Sequence, residues 1–237
     1  NIHVAQLPEA AWFQADLEGE SYDFASNISL PEKPPFEGEA VPVEAKIYIP
    51  SHLQIEKASI ARLERDGLAA ERFDVSSVIP EGKILISTVR LKQKNYTGIA
   101  YRSSITPLSD GPISLGPGNA PLTLLVRRSR RGITETIPVT IEFPLPSFTT
   151  LARSLPLPMP VGFRNAIGNF TIATHTQSTR RREQDPLSIQ IRVEGTGNLT
   201  TLEPPEFTGE REAWKAYPSY RLPKRRKSTN LQGSVSF

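Results

Sequence analysis

A chain of 237 residues with 22 Pro, no Cys and a hydrophobic share of 38% is long enough for two small β modules and lacks the thiols for a disulfide scaffold. No apolar run reaches the roughly 20 residues that a membrane-spanning helix needs. The net charge of +3 averages a first fifty residues at −7 against a remainder at +10, so attraction for anionic partners belongs to the later part of the chain.

Residue 1 is Asn and no signal peptide precedes the fold, so a fragment of a longer, targeted protein is expected. Residues 1–12 read as a tail or linker. Trp12, Phe13, Ala15 and Leu17 mark a first strand. Pro31, Pro34 and Pro35 then interrupt regular structure, because Pro removes ladder donors. From Val41 through Val43, Ala45, Ile47 and Ile49 the apolar residues alternate with polar ones, the period of a half-buried strand. Residues 51–64 fit neither period and leave an irregular strand or a short helix open. Arg65, Asp66 and Gly67 signal a turn, as do Pro80 and Gly82, and residues 84–91 are strand-like. Two short strands meet at Asp110 and Gly111. A Pro/Gly break at Gly116, Pro117 and Gly118 reads as a turn before a strand over 122–126. Arg127, Arg128, Arg130 and Arg131 with Gly132 form the next turn, and residues 137–143 alternate again.

Short strands at regular spacing, with Gly/Pro turns and almost no helical period, predict an antiparallel β-sandwich. The prolines at 144, 146, 156, 158 and 160 predict an extended, semi-rigid linker. The expectation is therefore an all-β chain of two consecutive immunoglobulin-like sandwich modules. The first occupies residues 1–143 with an N-terminal extension, the linker 144–161, and the second 162–237. In the second module Phe170 and Ile172 suggest one strand, and Leu187, Ile189, Ile191 and Val193 give a strict period-2 strand. Residues 233–237 echo only the start of the stretch after Gly98, so the second module is expected to be incomplete at its C-terminus.

The chemistry-bearing residues are sparse. His3, His52 and His175 are far apart and no thiol joins them, which argues against a zinc site. Glu37 and Glu39 lack the Asp-rich spacing of a calcium loop. No Gly-x-Ser-x-Gly elbow is present, and Gly116, Pro117 and Gly118 lack the Lys and helix of a phosphate loop. No catalytic residue, metal or cofactor is expected, and the chain is read as non-enzymatic. Two features remain as candidate binding sites. Gly195, Thr196, Gly197, Asn198 and Leu199 form a turn or bulge, alternatively a partner-facing loop. Arg180, Arg181 and Arg182, with Lys224, Arg225, Arg226 and Lys227, read as solvated turns, alternatively as an anionic-partner patch. Trp214, Tyr217 and Tyr220 are expected to pack in a core, the alternative being a sugar platform. Sequons at Asn27, Asn95, Asn169 and Asn198 matter only in a glycosylating cell.

Several of these residues carry a family likeness. Gly162, Phe163, Ala166, Ile167, Gly168 and Phe170, the alternating strand, residues 195–199 followed by Pro204 and Pro205, and Trp214 with Tyr217 resemble the BatD family of bacterial aerotolerance operons. Phe36, Glu37, Gly38 and Glu39 are similar to that family's module opening, and so are Ile105, Thr106, Pro107 and Leu108 with Gly111 and Pro117. The resemblance implies an extracytoplasmic, periplasmic-facing array of immunoglobulin-like modules held by a membrane anchor outside this sequence. It implies protein partners in the cell envelope, including von Willebrand factor A-type membrane proteins and a MoxR-type ATPase, and no nucleic acid. The Arg and Lys clusters lie outside the motif, so they motivate a separate reading as a carbohydrate- or polyanion-binding module.

Overall fold

A computed structural model describes residues 10–75, 87–176, 187–199, 201–206, 209, 215–222 and 233–237. These residues form antiparallel β-sheets, and no helix occurs among them.

The first sheet begins with a hairpin of β1 (Ala11–Leu17) and β2 (Glu20–Ser29). Glu18 and Gly19 join them with positive φ angles of 51° and 93°, the twist a two-residue hairpin requires. β3 (Val41–Pro50) continues the sheet, as its alternation predicts: Ala45, Ile47 and Ile49 are wholly buried. The expectation had a single strand before the proline break, and β2 was not foreseen. Its centre buries Ser26 and Asn27 beside Phe24 and Ala25, which blurs the apolar period.

Residues 51–75 supply four short strands: β4 (Gln54–Ala58), β5 (Arg62–Asp66), β6 (Leu68–Ala70) and β7 (Asp74–Val75). They resolve the open choice at 51–64 as strand. β8 (Ser87–Leu91) lies beyond the undescribed residues, which include the expected turn at Pro80 and Gly82. β9 (Lys94–Pro107) pairs β3 along one edge, while β6, β7 and β8 share its other edge.

The second sheet is built on β10 (Gly111–Arg130), a 20-residue strand. On one edge it pairs β11 (Ile133–Leu145) and then β12 (Phe148–Ala152); on the other it pairs β5 and then β4. The break expected at Gly116–Gly118 is a bulge inside this strand, not a turn. The register to β5 shifts between Leu115 and Gly118, and β11 gives way to β12 at the same level. A Cβ at Gly116 would overlap the Pro146 carbonyl, and one at Gly118 the Arg62 carbonyl, so only Gly lets three backbones pass here. The Arg cluster is mostly strand: Arg131 and Gly132 alone make the turn, and Arg128 pairs with Glu135 across it.

The two sheets share one core. Phe24, Ile47, Ile49, Ile99 and Tyr101 of the first pack with Leu115, Leu122, Leu124 and Phe143 of the second. The Phe24 ring meets Phe143 edge-on at 5.0 Å and stacks on Phe13 at 5.5 Å. Leu145 and Ala152 also belong to this core. The linker expected from residue 144 therefore contains the end of β11 and all of β12, because β10 extends far enough to pair both.

A third sheet holds β13 (Gly168–Thr176), β14 (Ile189–Gly197) and β15 (Gly233–Ser236), with β14 central. Val193, Leu199, Val235 and Phe237 form its small core, and Phe170, Ile191 and Leu202 pack against them.

Candidate functional site

Two segments singled out in the sequence, residues 36–39 and residues 195–199, lie far apart in the chain and meet in space. The first is the turn at Phe36, Glu37, Gly38 and Glu39. It closes on itself: Glu39 N donates to Phe36 O at 3.1 Å, and Phe36 N donates to the Glu39 carboxylate at 2.8 Å. Gly38 N donates to Pro107 O at 2.9 Å, tying the turn to the end of β9. Glu37 N donates to Arg153 O at 2.9 Å, and Arg153 N donates to Pro35 O at 2.8 Å, tying it to the residue after β12. The Arg153 guanidinium then lies 3.9 Å over the Phe36 ring, with its Nε donating to Pro34 O at 2.9 Å. The turn is thus fastened to both sheets of the first unit.

The second segment is residues 195–199. The sequence reading allowed a partner-facing loop here. Gly195, Thr196 and Gly197 instead complete β14, pairing Phe170, Asn169 and Gly168. Gly195 has φ 150°, and a Cβ there would overlap the Asn169 carbonyl. Asn198 and Leu199 are buried, at 4% and 0% exposure, so only Thr196 of the five is exposed. The reason is the Asn198 side chain. Its Oδ1 accepts from Ile167 N at 3.0 Å, and its Nδ2 donates to Asn165 O at 2.6 Å and to Gly38 O at 3.2 Å. Its backbone N donates to Ile167 O at 3.2 Å, and its carbonyl accepts from Thr201 N at 3.1 Å. Arg221 donates to Leu199 O at 2.5 Å and closes the stretch from behind. A side chain with two donors and one acceptor oxygen is thereby satisfied, and one of its bonds crosses to the first unit. The Ile167 side chain comes against Gly38 at the same place.

Beside this joint lies an open cleft of about 460 Å³, walled by Pro31, Lys33, Pro34, Arg153, Asn169 and Thr196 among others. Its volume is that of a small-ligand site. Its charged side chains are the cations Lys33 and Arg153 and the carboxylate Glu39.

The remaining sequence-derived candidates disperse. Arg180, Arg181, Arg182, Lys224, Arg225, Arg226, Lys227 and Trp214 lie outside the described residues. Tyr217 and Tyr220, expected in a core, are 75% and 71% exposed. Lys215 sits 5.4 Å above the Tyr217 ring. His52 packs beside Tyr22 at 5.7 Å, and His175 is on β13. Among the described residues no three His, Asp or Glu side chains come together as a metal-binding group would. Of the sequons, Asn27 and Asn198 are buried and so closed to glycosylation in the folded chain. The contact between the Gly38 turn and Asn198 spans 160 residues, and nothing in either local pattern announces it. No family model, no curated protein and no solved structure matches this chain.

Proposed function

We propose that the chain is a non-enzymatic, extracytoplasmic scaffold of the BatD type, built from two consecutive immunoglobulin-like modules. A membrane anchor outside this sequence would hold it at a bacterial envelope. There it would present sheet edges to protein partners, von Willebrand factor A-type membrane proteins first among them. The observation that carries the reading is the joint at Asn198. Two of the segments that resemble the family's motifs are in direct contact there: the Asn198 side chain donates to Gly38 O, while their other hydrogen bonds hold each segment to its own sheet. A device of this kind would fix the spacing and angle of two modules, as a scaffold requires. The recurrence of the pairing order β2–β3–β9 as β13–β14–β15 supports two related modules. Crosslinking the full-length, membrane-anchored protein in its native cells, followed by mass spectrometry, tests this. Recovery of von Willebrand factor A-type proteins is the expected result, and recovery of no envelope protein would overturn it.

A second reading, a carbohydrate- or polyanion-binding module, is favoured by one observation: Tyr217 and Tyr220 stand on the surface rather than in a core. Glycan-array binding that is lost in Tyr217→Ala and Tyr220→Ala would establish it.

A further inference from the structure

β13 is the outer strand of the third sheet, with no partner beyond it among the described residues. Natural sheet edges are guarded by charge, Pro, bulges or short length, because a bare edge offers unpaired N–H and C=O groups to any passing strand. The other edges here follow that rule. β1 carries Asp16; β11 carries Glu135, Pro138, Glu142 and Pro144; β4 and β5 are rich in both charges; β8 carries Arg90. β12, β6, β7 and β15 have five residues or fewer. β13 is nine residues long and contains no Asp, Glu, Lys, Arg or Pro. Among the described edge strands longer than five residues it alone is unguarded.

The ladder shows which groups face outward. Ile191 and Phe237 exchange both backbone bonds, at 3.0 and 2.9 Å, so in β14 Ile191, Val193 and Gly195 bond toward β15. Bonding direction alternates along a strand. Gln190, Arg192, Glu194 and Thr196 therefore bond toward β13, where they meet His175, Ala173, Thr171 and Asn169. The backbone groups of Gly168, Phe170, Ile172, Thr174 and Thr176 point to the open edge. These five are centred on Ile172, whose side chain is 69% exposed although it lies opposite the buried Val193.

We infer that a second copy of this chain pairs its β13 antiparallel to this one, about a two-fold axis at Ile172. All five outward-bonding residues then find partners: Gly168 with Thr176, Phe170 with Thr174, and Ile172 with its own counterpart. Thr171 faces Ala173 and Asn169 faces His175, so no pair opposes like carboxylates or ammonium groups. A charged edge would repel its own copy at such an axis; a neutral one does not, and this self-compatibility selects a second copy over a charged partner strand. The two apolar faces join at Ile172, and the three-stranded sheet becomes six-stranded. Self-association through β13 stands or falls independently of any envelope partner.

Sedimentation velocity across a concentration series tests it, together with single-cysteine crosslinking in a chain that has no Cys of its own. The expected result is a concentration-dependent dimer that Thr174→Pro weakens about tenfold or more, because it removes an outward N–H and leaves the β14 bonds intact. Across the axis the two Cα atoms at position 172 would lie about 5.5 Å apart, within disulfide reach. Ile172→Cys should therefore oxidise to a linked dimer much faster than Ile133→Cys, a comparably exposed site at 71% on the β10–β11 hairpin. A monomer at every concentration, a dimer indifferent to Thr174→Pro, or equal crosslinking at both positions would overturn the inference.

Discussion

Two threesomes of strands share one pairing order in this molecule and differ in what covers them. In the first, β2–β3–β9, the inward side chains Ile47, Ile49 and Ile99 are fully buried. In the other, β13–β14–β15, Ile172 is 69% and Ile189 47% exposed. The difference is the second sheet. β10 lies under the first threesome, holds β4 and β5 on one edge and β11 and β12 on the other, and closes a core between two layers. Among the described residues no strand plays the part of β10 beneath β14. The described residues between Leu199 and β15 make no ladder, whereas β4 and β5 pair with β10. Burial in a β layer is thus a property of the facing layer and not of the strand's own alternation, which is equally strict in Val41–Pro50 and in Ile189–Gly197 as far as Val193.

The largest expected effect contrasts the two faces directly. Phe143→Ala removes a fully buried ring that touches Phe13 and Phe24, and should cost the first unit about 3–5 kcal/mol. Ile172→Ala removes a mostly exposed side chain and should cost within about 1 kcal/mol. Denaturant unfolding followed by hydrogen exchange, which reports each unit separately, gives both numbers. A loss at Ile172 equal to that at Phe143 would mean that the face of β13 is covered in solution, and the contrast would collapse.

Asn198 is the next test, because its side chain joins the third sheet to the Gly38 turn. Asn198→Ala leaves Ile167 N, Asn165 O and Gly38 O without their partner, and should cost about 2–3 kcal/mol in the third sheet. Asn198→Asp keeps the acceptor for Ile167 N but sets a carboxylate against the Asn165 and Gly38 carbonyls, so it should be no better tolerated. Small-angle scattering should show a wider spread of overall dimensions in both variants, while Thr196→Ala, at the exposed position next to them, leaves the profile unchanged. Unaltered scattering from Asn198→Ala would remove the joint as the element that fixes the two units.

Much of the first sheet was legible because its strands alternate. The sides of Val41–Pro50 and the turn at Asp110 and Gly111 follow from local pattern alone. Three of the misreadings have one physical cause, pairing with β10. Residues 51–64 read as ambiguous because β4 and β5 are strands only by contact with β10, far along the chain. Gly116, Pro117 and Gly118 read as a turn because a bulge and a turn use the same residues, and only the neighbouring backbones at Arg62 and Pro146 distinguish them. Phe148–Ala152 read as linker because its prolines flank the strand without entering it. In the candidate site, both halves were picked out as motifs, but residues 195–199 read as a turn or bulge, with a partner-facing loop as the alternative. Two glycines and an Asn describe a turn equally well until Gly38 supplies the bond that buries Asn198.

The smallest effect separates the units by pH. Glu44 on β3 lies within 2.7 Å of Arg102 and also meets Lys46, with its side chain 20% exposed. Burial works to raise its carboxyl pKa, but the hydrogen bonds and charges of Lys46 and Arg102 outweigh it and hold the group below its ordinary 4.5. An acid whose folded pKa is depressed stabilises the fold above its unfolded value and loses that contribution as pH falls through the folded one. The first unit should therefore lose about 0.5–1 kcal/mol from this site as pH drops below roughly 4.5. Glu44→Gln should flatten that part of the stability curve for the first unit and leave the third sheet's acid response unchanged. On the third sheet Arg192 and Glu194 sit exposed on one strand, where a pair of this kind contributes little and salt screens it. Hydrogen exchange measured at several pH values below neutrality compares the two. A Glu44→Gln chain whose first unit still weakens with the same slope would show that the acid sensitivity resides in other carboxylates of β1 and β2, and that the Glu44 cluster sets strand register rather than stability.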